Sequence, residues 1–540
     1  MTETLERRAS EAPGNVRLIG GEMLLWSDTA DVTGWRAAAL ELLDRLLPGA
    51  PRVLLVGPHP MELVDRVAGL AASATAVLRS FPDACALGGR HPGIDVHCGR
   101  LDQLDLDEPY DLVLALDGLA RTHSAEAPAL PWRRSLTALA GYVAPGGRLV
   151  LGVRNDLGVD RLLEARPPDG DGQAHGFDPT YPSGPVTLDL ALESAGLGVE
   201  RCYAAYPDGR APRAMLAREL LGMHLPEALT FPLSVRAGEP MLAADPLRLT
   251  RLVFRHRLGE ELAPLWLAVA AHGDPAPADL PLGLVEEGAA VYELVGDGAG
   301  RLSKRLPCGE EQPVPSGRVV EEALVEACAR EDVRAVRALL AALAEWVEDG
   351  GDVTATADTL VWDGETFHPL TPPPDFSHPT PSAPLGDAPS VVLCRMLWRF
   401  AVRLLAAGHH HPWPWPLESD QLTLTLCGLA GRPCDRAELE LARELDAELG
   451  PGPDDAAPTY RDLLHARDRL TEQLAEALAR ISGLESRLRR RERALARARS
   501  RLRRSRHNAT AYRRSLGYRL SRGLSGPRRA ARKVMRMLYG

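Results

Sequence analysis

Polar or glycine residues follow three apolar runs in the first 160 residues of the chain. Gly57 comes directly after RVLLV, Asp117 directly after DLVLAL, and Asn155 two residues after RLVLGV. A glycine turn lets backbone N–H groups approach a ligand closely. A carboxylate or an amide can bind the hydroxyl and amino groups of that ligand. The pattern therefore predicts a ligand-binding rim where these runs end.

The apolar runs that precede the rim are short and alternate with segments of helical pattern, such as 33–47 and 61–72. This alternation predicts an α/β fold with a Rossmann-like, doubly wound parallel sheet. In such a sheet the ligand lies beyond the carboxyl ends of the strands. The predicted strands are residues 52–56, 74–78, 94–98, 111–116, 148–153 and 199–208.

Three motifs occur in a recognisable order within this region. RVLLVG is followed by PYDLVLALDGL, and LAGYVAPGGRLVLGVRN comes third. Together they resemble class I S-adenosylmethionine-dependent methyltransferases, whose fifth strand follows an L-x-P-G-G-x-L turn. The resemblance covers a domain at 32–222 and implies S-adenosyl-L-methionine as cofactor. It places the cofactor-binding residues at Gly57, His59, Arg79, Asp102, Asp117 and Asn155, and it identifies no catalytic residue.

The cofactor loop departs from the family pattern at several positions. Leu55 stands where the family has an acid, and His59 and Met61 replace later glycines of the loop. Arg79 and Ser80 follow the second strand, where the family has an acid for the ribose hydroxyls. These losses predict weak cofactor binding. The alternative is a methyltransferase fold without the reaction.

Two further motifs suggest an acceptor. RNDLGVDRLL at 154–163 and AAYPDGRAP at 204–212 are similar to the E-N-x-x-G and Y-P-x-P-D stretches of bacterial methyltransferases encoded with cell-envelope sugar pathways. This resemblance implies a glycan or lipid-linked sugar as the methyl acceptor at the cytoplasmic face of the membrane. It also implies glycan-pathway enzymes as partners. A non-catalytic scaffold of a glycan-assembly complex is the alternative function.

Residues 223–450 are predicted to form an α+β accessory domain that resembles aminoglycoside-phosphotransferase-like kinases. A hairpin carries Lys304, and ATADTLVWDG stands in place of the catalytic and metal-binding loop. The histidine and aspartate of that loop are missing, and Thr359 replaces its metal-binding asparagine. Because phosphoryl transfer needs those groups, we expect a degenerate domain without kinase activity.

The cysteine and histidine patterns predict no metal site. The eight cysteines are scattered, without a C-x-x-C pair, and three consecutive histidines at 409–411 point in divergent directions on either a strand or a helix. Reduced thiols are typical of a cytoplasmic protein. The N-terminal extension at 1–31 has no apolar signal region, and we expect a cytoplasmic protein that is at most peripheral to the membrane.

A linker at 451–458 precedes a heptad pattern over 459–505. Leu474, Ile481, Leu488, Leu495 and Leu502 recur every seven residues, which predicts a coiled coil and a homo-oligomer. A lone charged helix lying on the body is the alternative.

The C-terminal segment is strongly basic. Residues 486–540 carry a formal charge of about +19, whereas the rest of the chain carries about −29. The tail at 506–540 mixes arginine with leucine, tyrosine and methionine, which favours an anionic membrane surface as partner. Nucleic acid is the less favoured partner, because apolar residues at helical spacing are uncommon in nucleic-acid tails. A solvated helix face is a further alternative.

Overall fold

The computed structural model describes most of the 540-residue chain, in two compact units, Met1–Ala466 and Arg467–Gly540. The predicted linker at 451–458 lies outside the described residues, as do 1–11 of the predicted extension. The described residues are 12–29, 32–106, 108–124, 130–164, 178–234, 242–287, 290–297, 301–370, 388–414, 417–450 and 460–538.

A mixed sheet of thirteen strands dominates the first unit. Its strands are β1 (Val16–Gly20), β2 (Arg52–Val56), β3 (Ser73–Leu78), β4 (Ile94–Gly99), β5 (Tyr110–Ala115), β6 (Val143–Arg154), β7 (Gly198–Tyr206), β8 (Ala214–Ala217), β9 (Leu265–Ala271), β10 (Gly283–Glu287), β11 (Ala290–Gly296), β12 (Leu302–Arg305) and β13 (Glu311–Pro313).

The strand order is β1-β4-β3-β2-β5-β6-β9-β7-β8-β10-β11-β12-β13. The first six strands in this order pair in parallel, and every pairing from β6·β9 onward is antiparallel. Counted from β2, the five strands β4-β3-β2-β5-β6 follow the 3-2-1-4-5 order of a Rossmann sheet. The predicted Rossmann-like sheet is therefore confirmed for this half, while the sheet as a whole is mixed.

Helices cover both faces of the sheet, as a doubly wound fold requires. Leu54 and Val56 of β2 belong to the apolar layer on one face of the sheet, and Val53 and Leu55 belong to the apolar layer on the other face. Side chains of a strand alternate between faces, so a strand that is apolar at every position needs a cover on each side. The helices of this region are α1 (Ala37–Leu46), α2 (Met61–Leu70), α3 (Phe81–Arg90), α4 (Trp132–Ala140), α5 (Val159–Leu163), α6 (Pro185–Ser194), α7 (Arg218–Leu221), α8 (Glu227–Ser234) and α9 (Pro246–Arg255).

Two strands correct the predicted domain boundaries. β9 lies antiparallel between β6 and β7, so the boundary predicted at 222/223 cuts through the sheet. Its sequence LWLAVAA is buried at every position because neighbouring strands and both apolar layers surround it. β1 pairs in parallel with β4, so part of the predicted extension at 1–31 belongs to the sheet.

A second apolar core lies between residues 320 and 449. Its elements are a small sheet of β14 (Arg318–Val319), β15 (Leu360–Trp362) and β16 (Phe367–Pro369), with α10 (Val320–Ala329), α11 (Val333–Glu348), α12 (Pro389–Ala406), α13 (Ser419–Leu429) and α14 (Arg436–Leu449). Lys304 does not belong to it: this lysine lies on β12 of the large sheet and pairs with Glu287. The resemblance of residues 223–450 to kinases stays a prediction.

Two long helices end the chain, α15 (Tyr460–Arg514) and α16 (Leu516–Leu538). The heptad leucines Leu474, Leu488 and Leu495 are each more than half exposed. Helix α15 spans the predicted coiled coil as one continuous helix. Among the described residues, no helix is long and apolar enough to cross a membrane.

Candidate functional site

The strand order reverses between β2 and β5, and glycines lie in the connections that follow both strands. Gly57 has φ +81° and Gly118 has φ +79°, backbone conformations that residues other than glycine rarely adopt. A Cβ added to Gly57 would lie 3.9 Å from the Gly118 carbonyl oxygen. The backbone N–H of Gly57 donates to Val77 O at 2.9 Å, which fixes the turn to β3. Ligands of open α/β sheets bind at such a reversal point.

His59 lies in the turn between β2 and α2, and its ring is buried. Its Nδ1–H donates to Gly57 O at 2.9 Å, because a carbonyl can only accept. This bond leaves a lone pair on Nε2, which has no hydrogen-bond partner among the residues that the structure describes. Burial lowers the pKa of His59 to about 4, so the ring is neutral at pH 7. A ligand that donates an N–H or O–H would satisfy Nε2.

Asp117 follows β5, and its buried carboxylate is held by the chain itself. Oδ1 accepts from the Thr33 backbone N–H at 3.0 Å and from the Thr33 hydroxyl at 2.8 Å. Oδ2 accepts from Arg121 Nη1 at 3.0 Å. The structure brings Asp117 to the predicted rim, but with both oxygens already used.

An ion-pair network extends from Asp117 across the ends of three strands. Arg79, after β3, donates to Asp28 through Nε at 2.8 Å and Nη2 at 2.6 Å. Arg121 Nε lies 3.9 Å from Asp28 Oδ1, and Arg154 Nη2 lies 3.8 Å from Asp117 Oδ1. Burial lowers the pKa of Arg154, although Asp117 opposes that shift. Three guanidinium groups and two carboxylates thus form one network, in which Arg79 is paired with Asp28.

The N-terminal segment brings Asp28 to the end of β3. Met23 N–H donates to Arg79 O at 2.7 Å, and the Ser80 hydroxyl donates to Trp26 O at 2.7 Å. Sequence reasoning missed Asp28 because it assigned this segment to an extension outside the fold. It also missed the pairing of Arg121 with Asp117, for which the sequence offers only their spacing of four residues.

Asn155 has its polar atoms satisfied within the fold. Its Nδ2 donates to Glu261 O at 2.7 Å and Ala263 O at 2.9 Å, and its Oδ1 accepts from Leu157 N–H at 3.0 Å. These bonds tie the end of β6 to the segment that leads into β9. The role of Asn155 in cofactor binding stays a prediction.

Asp102 follows β4 and is paired with its near neighbour. Arg100 donates to its two oxygens at 2.8 Å and 2.6 Å. The Asp102 side chain is about a quarter exposed. No contact of Asp102 reaches Asp117 or His59 in the structure's described hydrogen bonds, so its place in a common site stays a prediction as well.

The two motifs that suggested a sugar acceptor lie against each other. Gly209 N–H, in the YPDG turn, donates to Asp160 Oδ2 at 3.1 Å, which belongs to the stretch after β6. The next residue of the turn, Arg210, accepts at its carbonyl from Gly34 N–H at 2.6 Å. Because Gly34 is adjacent to the Thr33 that binds Asp117, both motifs border the candidate site.

The residues present fit a cofactor at the end of β2 and fit it poorly at the end of β3. The Gly57 turn leaves space that a Cβ would fill, and His59 offers a buried acceptor atom. At the end of β3, Arg79 stands in place of a ribose-binding acid and is committed to Asp28.

No family model and no curated protein matches this chain. Several solved structures are similar to it, and they are methyltransferases. The N-methyltransferase NodS from Bradyrhizobium japonicum WM9 is 15% identical, with 43% of this chain and 93% of NodS covered and a TM-score of 0.24. The sugar N-methyltransferase KedS8 from Streptoalloteichus sp. ATCC 53650 is 21% identical, with 31% and 81% covered and a TM-score of 0.24.

A third structure is CalS10 with S-adenosylmethionine bound, an amino pentose methyltransferase from Micromonospora echinaspora. It is 29% identical over 21% of this chain and 48% of CalS10, with a TM-score of 0.18. The chain thus spans about half the length of CalS10. These overlaps are too partial to assign a substrate.

Proposed function

We propose that the chain is an S-adenosylmethionine-dependent methyltransferase whose cofactor lies at the reversal point between β2 and β5. The observation that carries the proposal is the Gly57 turn, which ends the first strand of a Rossmann order with φ +81° and faces Gly118. The sequence motifs around it support the same function. When bound, S-adenosylmethionine supplies an electrophilic methyl group to an acceptor.

Two features of the chain would act on that cofactor. The Gly57 turn admits it close to the backbone, and the His59 Nε2 lone pair accepts a hydrogen bond from its ammonium or ribose hydroxyl. The Arg79–Asp28 pair leaves no carboxylate for the ribose at the usual place. Because a lost hydrogen bond of this kind is worth about 1–3 kcal/mol, we expect weak binding.

The experiment is calorimetric titration of the full-length protein with S-adenosylmethionine and S-adenosylhomocysteine. We expect weak binding by the wild type and an affinity at least about tenfold lower for Gly57→Ala, since each 1.4 kcal/mol is a factor of ten. Gly196→Ala is the matched control, because Gly196 has φ +83° with open space around it. Equal affinities for the two variants, or no binding by the wild type, would contradict the proposal.

The acceptor that we propose is a glycan or a lipid-linked sugar. It is supported by the two motifs that border the site, through Asp160 with Gly209 and through Gly34 with Arg210. Radiolabelled methyl transfer to lipid-extracted and aqueous fractions of cell envelopes tests it. Label in a lipid-linked or soluble glycan is the expected result, and label only in protein or nucleic acid contradicts it.

A non-catalytic scaffold is the second candidate, and the buried network between Arg79 and Asp117 favours it. These groups satisfy one another at the carboxyl edge without a ligand. A scaffold binds neither S-adenosylmethionine nor S-adenosylhomocysteine, so the calorimetric titration separates the two functions.

We also propose that a second copy of the chain pairs along the predicted coiled coil at 459–505. The heptad side chains of α15 are exposed in the single chain, which leaves an apolar stripe for a partner helix. Ile481→Asp in the full chain should lower the oligomeric mass measured by analytical ultracentrifugation. Ala479→Asp adds the same charge outside the stripe and should leave the mass unchanged. An unchanged mass for both variants contradicts the pairing.

The tail at 506–540 is proposed to bind an anionic membrane surface. Leu516 and Leu520 are exposed on α16 beside its arginines, and burial of apolar groups is not screened by salt. We expect co-sedimentation with anionic vesicles that partly survives high salt. Leu516→Ser with Leu520→Ser should remove the salt-resistant fraction. A preference for DNA, with all binding lost in high salt, would contradict the membrane proposal.

A further inference from the structure

Three cysteines from distant parts of the sequence meet in the second apolar core. Cys394 lies on α12, Cys427 lies on α13, and Cys434 lies in the turn before α14. Their three Sγ atoms all lie within 4.8 Å of one another, and Cys394 and Cys434 are 3.6 Å apart at sulfur. Cys394 and Cys427 are buried, and Cys434 is partly exposed. Among the described residues this is the one group of three or more metal-ligand side chains so arranged.

The 3.6 Å between the sulfurs of Cys394 and Cys434 is close to the spacing of two thiolate ligands on one zinc ion. Zinc bonds thiolate at about 2.3 Å, so two sulfurs of a tetrahedral site lie about 3.8 Å apart. A disulfide would use only two of the three sulfurs and bring them to about 2.05 Å. A buried cysteine that acts only as a small apolar side chain has no need of two other sulfurs.

We propose that Cys394, Cys427 and Cys434 bind one zinc ion, with water as the fourth ligand on the partly exposed side of Cys434. Thiolates are ligands of choice for zinc, and three protein ligands with one water is a common zinc coordination. The ion would tie α12 to α13 and to the start of α14. The sequence-based expectation of no metal site would then be wrong.

Zinc binding would release the protons of the three thiols, because the thiolate is the form that binds metal.

The test uses full-length protein purified without chelator, and its zinc content is measured by inductively coupled plasma mass spectrometry. We expect one zinc per chain, and its loss in Cys434→Ala. Cys328→Ala is the matched control, because Cys328 is fully buried in the same core but outside the cluster. The control should retain the zinc of the wild type.

Cobalt(II) is the second probe, because it can be followed in the wild type without any substitution. We expect thiolate-to-cobalt charge-transfer bands and the visible bands of a tetrahedral ion, with displacement by zinc. Circular dichroism checks that Cys434→Ala is folded. Absence of both zinc and cobalt bands in the wild type overturns the proposal, and so does unchanged binding in folded Cys434→Ala.

A titration of thiols in denatured protein, without reductant, distinguishes the remaining alternative. All eight cysteines are free thiols in the structure, and we expect eight after chelation. A count lower by two would show a disulfide in the cluster and overturn the metal site. None of these readouts depends on S-adenosylmethionine, so failure here is distinct from failure of the proposed methyltransferase.

Discussion

The carboxyl edge of the sheet and the cysteine cluster differ in how their polar atoms are satisfied. At the edge, Asp117 and Arg79 are hydrogen-bonded to groups of the same chain, whereas the buried His59 Nε2 has no partner among the residues that the structure describes. In the cluster, the Cys394 thiol donates a hydrogen bond to the sulfur of Cys434 at 3.6 Å. A polar residue at the predicted rim is therefore not by itself evidence of ligand binding, because it can already be hydrogen-bonded to other residues of the protein. The contacts show which atoms remain for a ligand.

The largest expected effect is on the edge network. Asp117→Ala leaves Arg121 buried without its closest carboxylate, and we expect a loss of about 3–5 kcal/mol in the free energy of unfolding. Asp44→Ala breaks an exposed pair with Arg66 and should cost less than about 1 kcal/mol. Urea unfolding measures both. Equal small losses for the two variants would mean that the ion-pair network contributes little to the free energy of unfolding.

The next effect concerns the cluster and rests on the zinc proposal. A ligand that binds only the folded state at 100 times its dissociation constant stabilises it by about 2.7 kcal/mol. Addition of a chelator should therefore lower the urea midpoint of the wild type but not that of Cys434→Ala. Cys328→Ala should respond to the chelator as the wild type does. Identical responses from Cys434→Ala and the wild type would contradict this account.

His59 should make stability depend on pH. Burial lowers its pKa to about 4 in the folded protein from the ordinary histidine value of 6.5, so the unfolded chain binds more protons between these two pH values. Stability therefore falls as pH falls from 6.5 to about 4, by up to about 1.4 kcal/mol per pH unit.

The measurement is urea unfolding across this pH range. His59→Asn should reduce the slope. The same slope in the wild type and in His59→Asn would show that the ring is not held neutral by burial.

The smallest effect is expected at Asp102. Its pairing with Arg100 is partly exposed, so Asp102→Asn should change the free energy of unfolding by less than about 1 kcal/mol. If Asp102 binds the cofactor, as the sequence predicts, the affinity of this variant for S-adenosylhomocysteine should fall about tenfold. An affinity equal to that of the wild type would exclude Asp102 from the site.

The sequence predicted the elements whose signals are local. The apolar runs at β2 and β5 stand out, because each is short and is followed directly by a glycine or an acid. It did not predict where β9 lies, because LWLAVAA has the same composition whether its neighbours are parallel or antiparallel. Strand order depends on contacts between residues far apart in the chain.

The sequence predicted which residues lie near the candidate site, but it did not predict which of them contact one another. Gly57 follows from a turn at a strand end, which is a local property. Asp28 reaches Arg79 across 51 residues, and Cys394 reaches Cys434 across 40 residues. The sequence spacing predicts neither contact, because both depend on how the chain folds.

A crystal structure of the full chain with S-adenosylhomocysteine would locate the cofactor site. We predict the ligand at the turn after β2, with a donor of the ligand within hydrogen-bond distance of His59 Nε2 and the Arg79–Asp28 pair intact. Ligand bound elsewhere, or His59 Nε2 without a ligand contact at saturating concentration, would contradict it.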